Sequence, residues 1–134
     1  MMEKIIIDAA DAPLGRIASH AAKQTLLGRS VIIVNCSEAL ISGRREDILA
    51  KYQKARARGG SSMKGPHFPK NPERIMKRTI RGMLRYKRGR GGTAFKNVIC
   101  FNETPSEYAE TKKISFPKKF KVKTINLKEL SQLI

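Results

Sequence analysis

Two kinds of apolar pattern alternate along the first third of the chain. Residues 4–8 (KIIID) and 30–35 (SVIIVN) are short apolar runs, the second rich in β-branched residues and both bounded by polar ones, as expected of buried strands. Between them Leu14, Ile17, Ala18, Ala21 and Thr25 recur at the spacing that places them on one side of a helix. Asp11 is positioned to cap that helix, Pro13 to fit its first turn and Gly28 to end it. Strand, helix and strand in about 30 residues make a βαβ unit, with parallel strands and a right-handed crossover.

The pattern then changes character. A short apolar segment at 39–41 precedes a helix over 46–57, where Ile48, Leu49, Tyr52 and Ala55 fall at helical spacing among Lys51, Lys54 and Arg56. Residues 59–70 (GGSSMKGPHFPK) have the composition of a long loop. Asn71-Pro72-Glu73 supplies a cap, a proline at the first helical position and an acid in the first turn. On the helix that follows, Arg74, Arg78, Arg81 and Arg85 lie within about 60° of one another at 100° per residue, with Lys77 and Arg88 beside them. Ile75, Met76, Thr79, Ile80 and Met83 take the opposite side.

Residues 87–92 (KRGRGG) read as a basic glycine-rich loop, 97–101 (NVICF) as a third apolar strand and 103–110 as a turn or short helix. Residues 121–125 (KVKTI) alternate like an edge strand, and 127–133 close with a short helix. The expected class is α/β, with helices covering a mostly parallel sheet. At 134 residues and 40% apolar composition, one domain over 1–134 with one core is expected.

Charge separates the chain into portions that hydropathy alone does not. Residues 1–43 carry four basic and four acidic side chains, a neutral βαβ portion. Residues 44–96, the basic helices and loops, carry 17 against 3, a net of +14, and the closing strand and helix segment 97–134 carries 7 against 4. Almost all of the +17 net charge thus belongs to the middle portion, and nucleic acid is the default polyanion to offset it. An anionic membrane is a poorer partner, because there is no Trp and no apolar run near the ~18 residues of a spanning helix. With no signal-type start and only Cys36 and Cys100, far apart in sequence, an intracellular, soluble protein is expected.

A charged helix face is commonly just solvated, but such faces mix signs. Between Arg74 and Arg90 there are eight basic residues and no acid, which favours nucleic-acid contact. Arginine dominates, as suits a planar fork that grips phosphate at two points. The glycines at 89, 91 and 92 would let a backbone approach RNA closely, or simply turn. Phe68, Tyr86 and Phe95 form no aromatic platform, and core packing is the expected role of the last two, so recognition should rest on phosphate, 2′-hydroxyl and shape.

Catalytic signals are poor. No phosphate-loop or dinucleotide fingerprint is present, and Gly15 in Leu14-Gly15-Arg16 reads as a close-packing glycine. Cys36, Cys100, His20 and His67 have no metal-ligand spacing, no nucleophile motif appears, and neither cofactor, metal nor small-molecule substrate is expected.

The segments DAADAPLGRIAS (8–19), VNCSEALISG (34–43), KGPHFPKNPERIMKRTIRGML (64–84) and NVICFNETP (97–105), in this order, resemble the universal large-subunit ribosomal protein thirteen family. Gly-Pro-His followed by Arg-Gly-Met-Leu resembles its archaeal and eukaryotic branch, with Arg85 where the family often has proline. The resemblance implies a three-layer α/β/α domain around a four-stranded parallel sheet. It further implies a non-enzymatic cytoplasmic constituent of the ribosome that binds large-subunit rRNA, meets neighbouring ribosomal proteins and supports assembly and translation. With the charge distribution, it makes the candidate rRNA contacts Arg44, Arg45, Arg56, Arg58, Lys64, Lys70, Arg74, Lys77, Arg78, Arg81, Arg85, Lys87, Arg88 and Arg90. Two other readings remain: a regulatory RNA-binding protein acting off the ribosome, and a small α/β enzyme that clamps a phosphorylated substrate with arginines.

Overall fold

The computed structural model describes residues 3–57, 69–85, 87, 89–115 and 123–133, with Arg56 described only in its backbone. Residues 59–68 of the expected loop at 59–70, His67 and Phe68 among them, lie outside these residues, as do Tyr86 and residues 121–122 of the expected edge strand.

Strands β1 (Lys4–Asp8) and β2 (Ser30–Val34) pair in parallel, residue for residue from Lys4 opposite Ser30 to Asp8 opposite Val34. Helix α1 (Leu14–Leu26) joins them and buries Leu14, Ile17, Ala18, Ala21, Ala22 and Thr25. The one polar member, Thr25, donates its hydroxyl back to the carbonyls of Ala21 (3.1 Å) and Ala22 (2.9 Å), so its burial leaves no donor unmet. Gly28 ends the helix at φ 93°, a conformation that strains any side chain.

The start of α1 departs from expectation. Pro13 occupies the cap position, no side chain caps the helix, and Asp11 lies earlier, in a left-handed turn at φ 56°. Gly15 is exposed with nothing within 4 Å of where a Cβ would stand, so close packing is not its role.

Strand β3 (Leu40–Ser42) leads into α2 (Arg45–Ala57), and α3 (Pro72–Gly82) follows beyond residue 69. The expected glycine-rich loop is instead largely helical, as α4 (Gly89–Lys96). Gly91 allows this: a Cβ there would sit 2.2 Å from the Arg85 carbonyl oxygen, so only glycine lets the turn after α3 lie on α4. Strand β4 (Val98–Cys100) adds beside β2 in parallel. The two-residue strand β5 (Ile114–Ser115), absent from the sequence reading, joins the far side of β1, completing a four-stranded parallel sheet in the order β4-β2-β1-β5. Strand β6 (Thr124–Asn126) pairs antiparallel with β3 in a second small sheet, and α5 (Leu127–Leu133) runs from its end.

Helices α1, α3, α4 and α5 lie over one face of the main sheet, with Ile7, Val31, Ile33 and Val98 meeting Ile17, Ile75, Met76, Ile80, Leu127 and Leu130 in one core. The other face holds Ile6, Ile32 and Val34, packed by Phe101 and by Tyr108 of a single 3-10 turn, Ser106–Tyr108. Among the described residues this third layer is thin. The C-terminal ends of β1 and β2 are tied to the segment after β4 by Asn35. Held left-handed at φ 59°, it donates Nδ2 to Asp8 Oδ1 (2.9 Å) and accepts from the Thr104 hydroxyl (3.0 Å).

Candidate nucleic-acid interface

The basic middle portion is mounted on α3. Asn71 accepts from the Glu73 amide at 3.3 Å as cap, Pro72 presets the first turn, and Glu73 sits at the positive end of the helix. Ile75, Met76 and Ile80 are wholly buried against the sheet layer, and Thr79 returns its hydroxyl to the Ile75 carbonyl at 2.9 Å. Burial of the three apolar chains anchors the helix by roughly 5 kcal/mol. Met83, expected on this inner side, is 45% exposed because the helix ends at Gly82 and the chain turns away.

The outer side of α3 carries the cations. Arg74, Lys77, Arg78 and Arg81, with Pro69 and Phe95, line one open cleft of about 240 Å³. Lys77 Nζ stands 5.0 Å above the centre of the Phe95 ring, so ring and ammonium hold each other while Phe95, partly buried, packs on the core. Arg78 also lines a second groove of about 220 Å³ between α2 and α3, with Lys51, Tyr52, Ala55, Thr79 and Gly82. Burial raises the pKa of the Tyr52 phenol, keeping it neutral and able to donate.

The other candidate residues disperse around this centre. Arg44, Lys70, Arg74 and Arg85 are exposed, and among the described residues no carboxylate pairs with them. Lys87 is exposed in the turn leading to α4. Arg45 is committed to Glu129 of α5 at 3.0 Å. Arg90 reaches across to α1, where its Nε donates to the Leu26 carbonyl at 3.1 Å and its Nη2 to the same oxygen. A cation there satisfies the carboxyl end of α1, a packing role that coexists with exposure. Arg58, Lys64 and Arg88 lie outside the described residues, and Arg56 is placed only by its backbone on α2.

Lys51 and Tyr52 were not among the sequence candidates. The basic character of their helix is legible, but that they face Arg78 across a groove depends on how α2 and α3 pack. The two cysteines, far apart in sequence, are also brought together at the ends of β2 and β4. A side-chain hydrogen bond with Cys100, followed by burial, drives the Cys36 thiol pKa strongly upward, and its Sγ faces the Ile33 carbonyl at 3.8 Å. Among the described residues no group of three or more His, Cys, Asp or Glu could hold a metal, and no helix is long and apolar enough to cross a membrane.

A parallel sheet carrying a helix that is apolar inward and cationic outward defines a small, strongly basic α/β scaffold protein. The family model described as Ribosomal protein L13 matches residues 2–107. The chain is 41% identical over 129 residues to large ribosomal subunit protein uL13 of Natronomonas pharaonis, covering 96% of this chain and 88% of that protein. It is 47% identical over 111 residues to uL13 of Methanosarcina barkeri, covering 82% and 79%. Identity to uL13 of Methanocaldococcus jannaschii is 40% over 130 residues, covering 95% and 94%. The chain belongs to the ribosomal protein L13 family.

Proposed function

We propose that this protein is a structural constituent of the large ribosomal subunit that binds large-subunit rRNA, meets neighbouring ribosomal proteins, and supports subunit assembly and translation. Its role is that of a structural component and not of an enzyme, in keeping with its family. The observation that carries the reading is the division of α3: Ile75, Met76 and Ile80 fully buried, while Arg74, Lys77, Arg78 and Arg81 gather around an open cleft. The neutral frame of residues 1–43 supports the basic portion 44–96, and residues 97–134 close it, within one domain.

In this reading the arginines and lysines at positions 44–90 neutralise phosphates, and bases contribute less. Arg45 and Arg90 contribute least, since Glu129 and the Leu26 carbonyl already hold them. Two measurements test the proposal. Cell extract separated by sedimentation should place the protein stoichiometrically in the large-subunit fraction; a purely light fraction would favour the off-ribosome reading. Binding of the purified protein to deproteinised large-subunit rRNA should weaken with salt at a log–log slope of roughly −5 for about six phosphate contacts. A flat salt response overturns it.

A further inference from the structure

The groove between α2 and α3 differs in kind from the cleft over Phe95. Its walls are Tyr52 and Ala55 on one side and Thr79 and Gly82 on the other, with one cation from each helix, Lys51 and Arg78, at its margins. At about 220 Å³ it has room for a single base and not for a protein loop or a duplex.

Gly82 gives this groove its interest. It is the last residue of α3, it is exposed, and its backbone is helical, not left-handed, so the conformational freedom of glycine goes unused. Among the described residues nothing lies within 4 Å of the position a Cβ would take. Glycine in a helix destabilises relative to alanine. Neither backbone geometry nor packing among the described residues requires it here, whereas a ligand seated against the helix would.

Resting on the rRNA-binding reading above, we infer that the α2–α3 groove takes one unpaired nucleotide of that RNA, its base against Tyr52, Ala55 and the bare backbone of Gly82, its phosphate between Lys51 and Arg78. The charge of the margins selects a polyanion. The wall of Tyr52 and Ala55 suits an unstacked base, the part of folded RNA that proteins read most readily. This groove thus adds one base contact to an interface otherwise directed at phosphate.

The test fills the groove without changing charge. Full-length Gly82→Leu, whose helix propensity exceeds that of glycine, is titrated with deproteinised large-subunit rRNA at several salt concentrations beside the parent and Arg74→Gln. Leucine displaces the base but leaves the flanking phosphate on Lys51 and Arg78 at the margins, so affinity should fall by about tenfold or more with an unchanged salt slope. Parent-like affinity in Gly82→Leu, with Arg74→Gln weakened, overturns the inference and leaves the rRNA-binding reading intact. A loss with a shallower slope overturns it too, since the groove then grips phosphate alone. Absence of salt-sensitive binding by the parent overturns both. If Gly82→Leu unfolds at lower temperature than the parent, another part of the chain fills the groove and the inference also falls. Zero-length ultraviolet crosslinking of the parent bound to the same rRNA gives a second readout: a nucleotide adduct on the peptide containing Tyr52 is expected, and adducts confined to other peptides overturn the assignment.

Discussion

Asn71 and Asn102, 31 positions apart, hold each other at the head of α3: Asn102 Nδ2 donates to Asn71 Oδ1 at 2.8 Å. Both side-chain oxygens accept from the Glu73 amide, at 3.3 Å from Asn71 and 2.8 Å from Asn102. The turn after β4 thereby helps to cap the helix that carries the cationic face. Asn102→Ala should cost about 1–2 kcal/mol in denaturant unfolding. RNA affinity should fall with it, because α3 then frays at the end that holds Arg74. Unfolding midpoints equal to the parent would show the contact to be idle.

Gly91 and Gly15 should respond oppositely to alanine. At Gly91 the new Cβ would meet the Arg85 backbone, which cannot swing aside as a flexible side chain would. Gly91→Ala should therefore destabilise by about 3 kcal/mol or more, or prevent the turn from docking on α4. At Gly15 the site is open and the backbone helical, and Gly15→Ala should stabilise by about 0.5–1 kcal/mol. Thermal unfolding of the pair checks both signs.

Arg74 on α3 and Arg45, already engaged, should separate in salt titrations. Arg74→Gln should reduce the steepness of the salt dependence of rRNA binding by about one unit and leave folding within about 0.5 kcal/mol of the parent. Arg45→Gln, whose guanidinium faces Glu129, should change the slope less. Equal slopes for the two variants would deny α3 its special place.

Cys36 ties stability to alkaline pH. Its folded pKa lies above the ordinary thiol value, so on raising the pH the unfolded chain gives up this proton first, and the stability that Cys36 contributes is lost as pH rises past about 8.5. Cys36→Ser, or Cys36→Ala, should flatten that decline. Native protein at pH 8.5 should also be alkylated at Cys36 more slowly than at half-exposed Cys100, as peptide mass spectrometry would reveal.

The elements legible in the sequence are those whose signals are local. The run of Ile5, Ile6 and Ile7, the spacing from Leu14 to Thr25 and the Asn71-Pro72-Glu73 start each name their structure within a few residues. The errors fall where distant contacts decide. Strand β5 has two residues and a polar surround, and exists because Ile114 lies opposite Ile7. Helix α4 is rich in glycine, which disfavours helix, yet packing against α1 and the Arg85 turn overrides propensity. Asp11 has the chemistry of a cap but lies two residues before the cap position. For the interface, the order of basic residues foretells the α3 cluster, whereas the engagement of Arg45 by Glu129 and of Arg90 by Leu26 requires knowing which elements touch.

The pairing of β3 with β6 sets Leu40 opposite Asn126, and the helix leaving β6 puts Leu127 and Leu130 under α3. During synthesis the βαβ unit and the cationic helix are therefore complete long before the latch that fixes them. A ribosome must deliver the chain through Asn126 before Leu40 finds its strand partner, and until Leu127 and Leu130 follow the inner face of α3 lacks part of its floor.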